Sequence, residues 1–168
     1  MPASPRPPGQ EMLLLDYLSR LDRHRAGRRA VQIHLSGLAA HNRRDQHLRV
    51  AAAAFDALGK KLLAQPFLMG NADLLVLYKV AAQDEMDEAL ARLRFLFSTD
   101  PMIIKDARDG SLCTWYDLEK DYDALTALAG RMLAAEQARR RAEHDQAGLE
   151  ARAREKAGGT PFTPDLLA

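Results

Sequence analysis

The hydrophobic pattern along the chain changes period several times, and each change marks an expected element. Residues 30–36 alternate apolar Val31, Ile33 and Leu35 with polar neighbours, which predicts a strand with one buried face. Short apolar runs separated by turn residues predict further strands at 65–69, 73–80, 102–105 and 112–118. The first two of these flank the turn at residues 70–72 and should form a β-hairpin.

Other segments carry apolar residues at steps of three and four, the spacing of one face of a helix. This pattern predicts helices at residues 13–21, 43–63 and 84–97, with Asp84 as N-cap of the third. Asp100-Pro101 should end that helix. A last helix begins at Tyr122 and continues as a charged segment to Lys156, before Gly158-Gly159 stops it.

The order β-α-β-β-α-β, with a helix at either end, predicts an α+β fold of the ferredoxin-like type. One antiparallel sheet should carry helices 43–63 and 84–97 on one face. An N-terminal helix precedes this core and a long C-terminal helix follows it.

The predicted organisation has four parts. Proline-rich residues 1–10 form a disordered lead-in, and residues 11–135 form a single domain that includes the N-terminal helix. Residues 136–157 form a charged helical extension, and residues 158–168 form a tail or linker.

Charge and cysteine content narrow the classes of function. Lys+Arg (24) and Asp+Glu (23) nearly cancel, so no overall charge draws the chain to nucleic acid or to an anionic membrane. Cys113 is the single cysteine, which rules out an intrachain disulfide and fits a reducing compartment. The apolar run at residues 12–15 is too short for a signal-peptide core or a membrane span. We therefore expect a cytoplasmic protein.

The first predicted strand ends in residues 34–43, which read HLSGLAAHNR. This stretch resembles the corresponding segment of a GGDEF (diguanylate cyclase) domain, which carries D-x-D-x-[FL]-K-x-x-N-D there. Leu38 and Asn42 fall at the family's hydrophobic and asparagine positions. His34 and Ser36 stand where the first two aspartates, the metal positions, would be.

The second likeness is at the hairpin, where the family has its G-G-D-E-F signature. Here the corresponding residues form a degenerate signature in which only the aspartate is retained: Asn71, Ala72, Asp73, Leu74 and Leu75. The two blocks are spaced as in the family, and an apolar strand follows the second. The likeness covers residues 30–97.

The resemblance implies a site that has lost its chemistry. In the family, divalent ions held by carboxylates support attack of a 3′-hydroxyl on an α-phosphate. Leu74 replaces the metal-binding glutamate and has no oxygen to offer, so we expect no enzyme activity, no metal and no cofactor. The family's product-binding R-x-x-D motif is also absent, because Leu62 and Gln65 occupy its arginine and aspartate positions.

Two residues could still serve a vestigial nucleotide site, Asn42 and Asp73. Each also has a structural interpretation, which we favour. Asn42 just precedes the helix at residues 43–63 and could cap it, and Asp73 could fix the backbone of the turn.

Other candidate chemistry is sparse. His34, His41 and His47 lack the spacing of a metal site, and Cys113 is expected to be a buried, unreactive thiol. Trp115 and Tyr116 alternate along a predicted strand, so one should face outward, where an exposed aromatic would suggest a partner surface.

The sequence thus predicts a non-catalytic regulatory or scaffold domain of bacterial signal transduction, which contacts a protein partner or forms a homodimer through its terminal helices. The first alternative is a regulatory domain that senses GTP or cyclic di-GMP without turnover. The second is a nucleic-acid binder using the basic residues of 23–29 and 43–44, which would need aromatic residues on an open sheet face.

Overall fold

A computed structural model describes residues 9–159 of the chain, and the expected lead-in and tail lie largely outside this range. The fold is α+β, as predicted. A four-stranded antiparallel sheet is built from β1 (Arg28–Ile33), β2 (Ala64–Leu68), β3 (Leu74–Lys79) and β4 (Cys113–Asp117).

The strands lie in the order β2-β3-β1-β4, with β1 antiparallel to both β3 and β4. The hairpin strands β2 and β3 are neighbours, and helical connections carry the chain from β1 to β2 and from β3 to β4. This is the ferredoxin-like arrangement that the element order predicts. It leaves β2 and β4 as the two edges of the sheet.

Six α-helices accompany the sheet in the described part of the chain. They are α1 (Gln10–Leu21), α2 (Asp45–Ala53), α3 (Asp56–Lys60), α4 (Gln83–Leu96), α5 (Pro101–Asp109) and α6 (Leu118–Gly159). Helices α2 to α5 cover one face of the sheet, as expected for residues 43–63 and 84–97. Their buried side chains share one core with alternate residues of β1 and β3, among them Val31, Ile33, Leu74 and Val76.

The opposite face of the sheet is covered by the terminal helices. Leu14 and Leu18 of α1 and Leu125 and Ala129 of α6 are fully buried in a second core with Leu75 and Leu77 of β3. The Tyr122 hydroxyl donates a 2.7 Å hydrogen bond to the Leu18 carbonyl, which ties the two helices together. The sheet therefore lacks the open face that a nucleic-acid binder of this fold would use.

Three expectations are corrected by the structure. The N-cap of α4 is Ala82, and Asp84 lies in the first turn of that helix. The expected strand at residues 102–105 is part of α5, because Asp100 is a side-chain N-cap, Pro101 stands at the first helical position and Gly110 ends the helix in the left-handed region. These capping signals outweigh the short apolar run. The expected single helix at 43–63 is divided into α2 and α3, and both present buried residues to the same core.

Helix α6 begins at Leu118 rather than Tyr122 and runs without interruption to Gly159. The chain divides into two compact units between Met132 and Leu133. In the second unit every described side chain from 141 to 157 is exposed. Arg140 pairs with Glu136 at 3.1 Å, and Arg139 pairs with both Glu136 and Glu143. None of the helices in residues 9–159 has the length and apolarity needed to cross a membrane.

Candidate functional site

Of the two residues of the predicted vestigial site, Asp73 lies beside His34 and Ser36, at the end of β1 next to the hairpin turn. Asp73 is buried and its carboxylate is fully engaged inside the fold. Its Oδ1 accepts from the Ser36 backbone at 3.0 Å, and its Oδ2 accepts from Gln32 Nε2 at 3.0 Å and from Asn71 Nδ2 at 3.5 Å. These bonds hold the hairpin against β1, which supports the structural interpretation of Asp73.

His34 lies in the same cluster and joins two strands. Its Nε2 is 2.7 Å from Thr114 Oγ1 on β4, and its Nδ1 is 3.7 Å from Asp73 Oδ2. A hydroxyl, an imidazole and a carboxylate in this order have the connectivity of a nucleophile, a base and an orienting acid. The imidazole–carboxylate distance is too long for a hydrogen bond, however, and Asp73 already satisfies three other donors. The arrangement is therefore a polar bridge across β3, β1 and β4.

The hairpin turn has a backbone that suits structure rather than phosphate binding. Met69 N–H donates to the Asp73 carbonyl at 2.8 Å, and Ala72 N–H donates back to the Met69 carbonyl at 3.0 Å. Ala72 adopts φ 80°, the left-handed residue that a three-residue hairpin loop requires. Leu74 and Leu75 follow directly and are fully buried on opposite faces of the sheet. Leu74, which the resemblance aligns with the family's metal-binding glutamate, thus lies inside a hydrophobic core.

Asn42 does not join this cluster, and its expected role as a helix cap is wrong. The N-cap of α2 is Arg44, and Asn42 lies in a 3-10 turn before it. Its Nδ2 donates a 2.8 Å hydrogen bond to Asp100 Oδ2, which also accepts from the Ala39 backbone at 2.9 Å. Asp100 Oδ1 caps α5 by accepting from Met102 N–H at 2.9 Å. Asn42 therefore fastens the loop after β1 to the start of α5.

The histidines form no metal centre in the part of the chain that the structure describes. No group of three His, Cys, Asp or Glu side chains there could hold an ion. Cys113 is partly buried, and burial raises the pKa of its thiol to about 11. A raised pKa lowers the thiolate fraction at neutral pH, which supports the expectation of an unreactive thiol.

A different site appears at the opposite end of the sheet, where β1 begins and β3 and β4 end. It is a cavity of about 420 Å³ lined by three aromatic side chains and four polar or charged ones: Tyr78, Trp115, Tyr116, Arg29, Gln83, Asp117 and Asp121. Trp115 is 45 % exposed and packs edge-to-face against Tyr78, with 6.4 Å between the centroids of the two rings. Of the two alternating aromatics, Trp115 is thus the one that faces outward.

The polar groups of this cavity are organised by the helices that start there. Gln83, the first residue of α4, accepts hydrogen bonds from the Tyr78 hydroxyl at 2.6 Å and from Arg29 Nη1 at 3.2 Å. Burial raises the pKa of Tyr78, so its hydroxyl stays protonated and remains a donor. Asp117 and Asp121 cap the start of α6: Asp121 Oδ2 accepts from Asp117 N–H at 2.9 Å. The cavity therefore combines fixed polar walls with one exposed indole.

The sequence signalled only part of this cavity. The alternation of Trp115 and Tyr116 pointed to an exposed aromatic, but Arg29, Gln83 and the two aspartates belong to segments far apart along the chain. They meet because β3 and β4 run parallel to each other, so their C-terminal ends lie at the same end of the sheet, where β1 begins.

Comparison with known proteins adds no identification. The chain matches no protein-family model, no curated protein and no solved structure.

Proposed function

We propose that this chain is a non-catalytic regulatory or scaffold domain that works by contacting another protein chain. The setting implied by the resemblance to GGDEF domains is cytoplasmic signal transduction in bacteria. The observation that carries the proposal is the internal bonding of the two candidate ligand residues: both carboxylate oxygens of Asp73 and the Nδ2 of Asn42 are hydrogen-bonded within the fold.

A nucleotide bound as in a cyclase would have to displace these bonds. Asp73 would lose donors from Gln32 and the Ser36 backbone, and each buried group left unsatisfied costs about 1–3 kcal/mol. The metal would meet Leu74, which is fully buried and has no ligand atom. Both facts support a domain without turnover.

The surface best suited to a protein contact is the corner around Trp115. Tryptophan is among the residues most enriched at the energetic centres of protein interfaces. The apolar faces of α1 and of the first turns of α6 are buried against the sheet, so we now assign the contact to the β4 edge rather than to these terminal helices.

The second candidate function is nucleotide sensing without turnover. Its binding site would be the cavity at Trp115 rather than the residues Asn42 and Asp73. An indole that can stack on a base lies there beside the guanidinium of Arg29. The carboxylates of Asp117 and Asp121 line the same cavity and oppose an anionic ligand, so we rank this candidate second.

Thermal unfolding with GTP and Mg²⁺, or with cyclic di-GMP, separates the two candidates. A ligand at 100 times its Kd stabilises the native state by about 2.7 kcal/mol, which raises the Tm of a domain this size by roughly 5–10 °C. We expect no shift at 1 mM ligand and no cyclic di-GMP product. A reproducible shift that Trp115→Ala abolishes would favour nucleotide sensing instead.

The positive test places a photo-crosslinking amino acid, p-benzoylphenylalanine, at position 115 in living cells. We expect one discrete adduct whose second component is identified by mass spectrometry as a protein chain. The matched control carries the crosslinker at Leu62, which is 81 % exposed and lies on the loop before β2. Equal, diffuse labelling from both positions would contradict a specific contact at the β4 edge.

A further inference from the structure

The two edges of the sheet differ in how well they are protected against pairing with another strand. An edge strand presents unpaired backbone N–H and C=O groups, and natural proteins block such edges with proline, charge or bulges. Whether an edge is open depends on which residues point their backbone groups away from the sheet. In an antiparallel pair these residues alternate with those that bond to the neighbour.

The β2 edge is blocked. Met69 N–H bonds to the Asp73 carbonyl, so Met69 and every second residue before it face β3. The residues between them, Ala64, Pro66 and Leu68, face outward. Pro66 stands at the middle of this row and has no N–H to offer, so a further strand cannot pair fully there.

The β4 edge is open. His34 N–H bonds to the Leu112 carbonyl at 2.8 Å, so Leu112, Thr114 and Tyr116 face β1. Cys113, Trp115 and Asp117 then face outward. The Asp117 N–H is already held by Asp121 Oδ2, which agrees with this alternation. Among the described residues nothing bonds the outward N–H and C=O groups of Cys113 and Trp115.

We propose that a second copy of this chain pairs with this edge, β4 against β4 and antiparallel, about a two-fold axis at Thr114. The inference rests on the proposed function and names its partner. Cys113 of each copy faces Trp115 of the other, and each such pair exchanges two N–H···O=C bonds. The free backbone groups of Cys113 and Trp115 in both copies are then used, and the two sheets become one continuous sheet of eight strands.

The backbone groups that are free on β4 determine this register. A two-fold axis at Trp115 would require the Asp117 N–H to donate to the second copy, but Asp121 holds that group. The axis at Thr114 needs only Cys113 and Trp115, the two residues that are free. Such an interface is self-complementary, as two-fold symmetry demands.

The side chains on the edge fit the same arrangement. Thr114 is exposed and would meet Thr114 of the second copy at a position without backbone bonds, where cross-strand side chains approach most closely. On the other face, the exposed indole of Trp115 would cover the partly buried Cys113 of the second copy. The contact is short, so we expect a weak dimer with a Kd on the order of 10–100 μM.

The first test links the two copies covalently at the two-fold axis. In a Cys113→Ser background, Thr114→Cys would place two thiols across the axis with Cα atoms about 4.5 Å apart, within the range of a disulfide. We expect mild oxidation to convert most of the protein to a reducible dimer. The matched control, Lys120→Cys in the same background, puts an exposed thiol off the axis and should stay monomeric.

The second test measures association by analytical ultracentrifugation from roughly 5 to 500 μM, a range chosen to bracket the expected Kd. We expect the native chain to shift from monomer to dimer and Trp115→Lys to stay monomeric with an unchanged fold. Phe95→Lys is the matched control, because Phe95 is an even more exposed aromatic, on α4, and should leave the dimer intact.

Different results would overturn the second-copy inference and the proposed function. A native chain that is monomeric at all concentrations and a Thr114→Cys variant that forms no disulfide overturn the second-copy inference. If the crosslinker at position 115 then captures a different protein, the proposed function stands with another partner. If it captures nothing, the proposed function falls too.

Discussion

The Asn42 side-chain amide lies 2.8 Å from the Asp100 carboxylate, which belongs to a residue 58 positions further along the chain. Asp100 is almost completely buried and accepts from two backbone N–H groups besides Asn42. One carboxylate thus holds the loop after β1, begins α5 and satisfies an asparagine that resembles a nucleotide ligand. Its importance for the fold can be measured.

Asp100→Asn should destabilise the native state by about 1–3 kcal/mol, because one amide oxygen cannot accept all three hydrogen bonds and the NH₂ group would face the backbone N–H of Ala39 or of Met102. Asn42→Ala should cost less, about 1 kcal/mol, since both backbone bonds to Asp100 survive. Urea unfolding at pH 7 measures both values. Glu88→Gln, on the exposed face of α4, is the control and should change stability by less than about 0.5 kcal/mol. An effect no larger for Asp100→Asn than for this control would contradict the role assigned to the carboxylate.

The same carboxylate predicts a pH dependence. Burial by itself raises the pKa of Asp100, but its three hydrogen bonds favour the charged form and bring the pKa below its ordinary value of 3.8. The stabilisation is therefore complete well above pH 3.8 and is lost as the pH falls through the lower pKa of the folded state. The stability difference between the native chain and Asp100→Asn should shrink between pH 5 and pH 3. A constant difference over this interval would show that the carboxylate's charge contributes nothing.

Leu62 occupies a position that glycine would serve better. It has φ 58° and is 81 % exposed, and it follows α3 with the two backbone bonds of a Schellman motif, Leu62 N–H to Gly59 and Leu63 N–H to Leu58. Left-handed backbone costs a residue with a Cβ about 1 kcal/mol. Leu62→Gly should therefore raise the free energy of unfolding by up to about 1 kcal/mol. Leu62→Ala keeps a Cβ and is the control, which should bring no gain in the same urea titration.

Cys113 should react slowly with alkylating reagents. With a pKa of about 11 in place of 9.0, its thiolate fraction at pH 8 is about a hundredfold lower than that of an ordinary cysteine. Iodoacetamide labelling followed by mass spectrometry should be slower in the native chain by about two orders of magnitude than in urea-unfolded chain at the same pH. Equal rates in the two states would mean that the thiol is neither buried nor shifted.

Much of the fold was predictable because hydrophobic period reports local structure directly. The alternation around Val31 and the continuous apolar run of β3 identified central strands, and the turn at residues 70–72 identified the hairpin. The Met-Ile-Ile run at 102–104 gave a wrong prediction of a strand, because three apolar residues fit a strand or a helix equally well. Only the caps at Asp100 and Gly110 decide between them.

The candidate site was predictable in part. His34, Ser36 and Asp73 were expected together and lie together, since register places the end of β1 beside the hairpin. Asn42 was expected to cap the following helix or, as the alternative, to join a vestigial nucleotide site, and it does neither. It bonds Asp100, a partner so far along the chain that no local pattern reveals the contact.

The sequence alone determined the class of fold, the pairing of the hairpin strands and the lack of a metal-ligand atom at Leu74, because periodicity, turn chemistry and side-chain composition are local properties. Tertiary structure decided which donors form hydrogen bonds to the carboxylates of Asp73 and Asp100. It also decided that the terminal helices cover the second sheet face and that Pro66 blocks one edge while Trp115 stands on the open one. These features depend on strand order and register, which bring distant residues together through the packing of the whole domain.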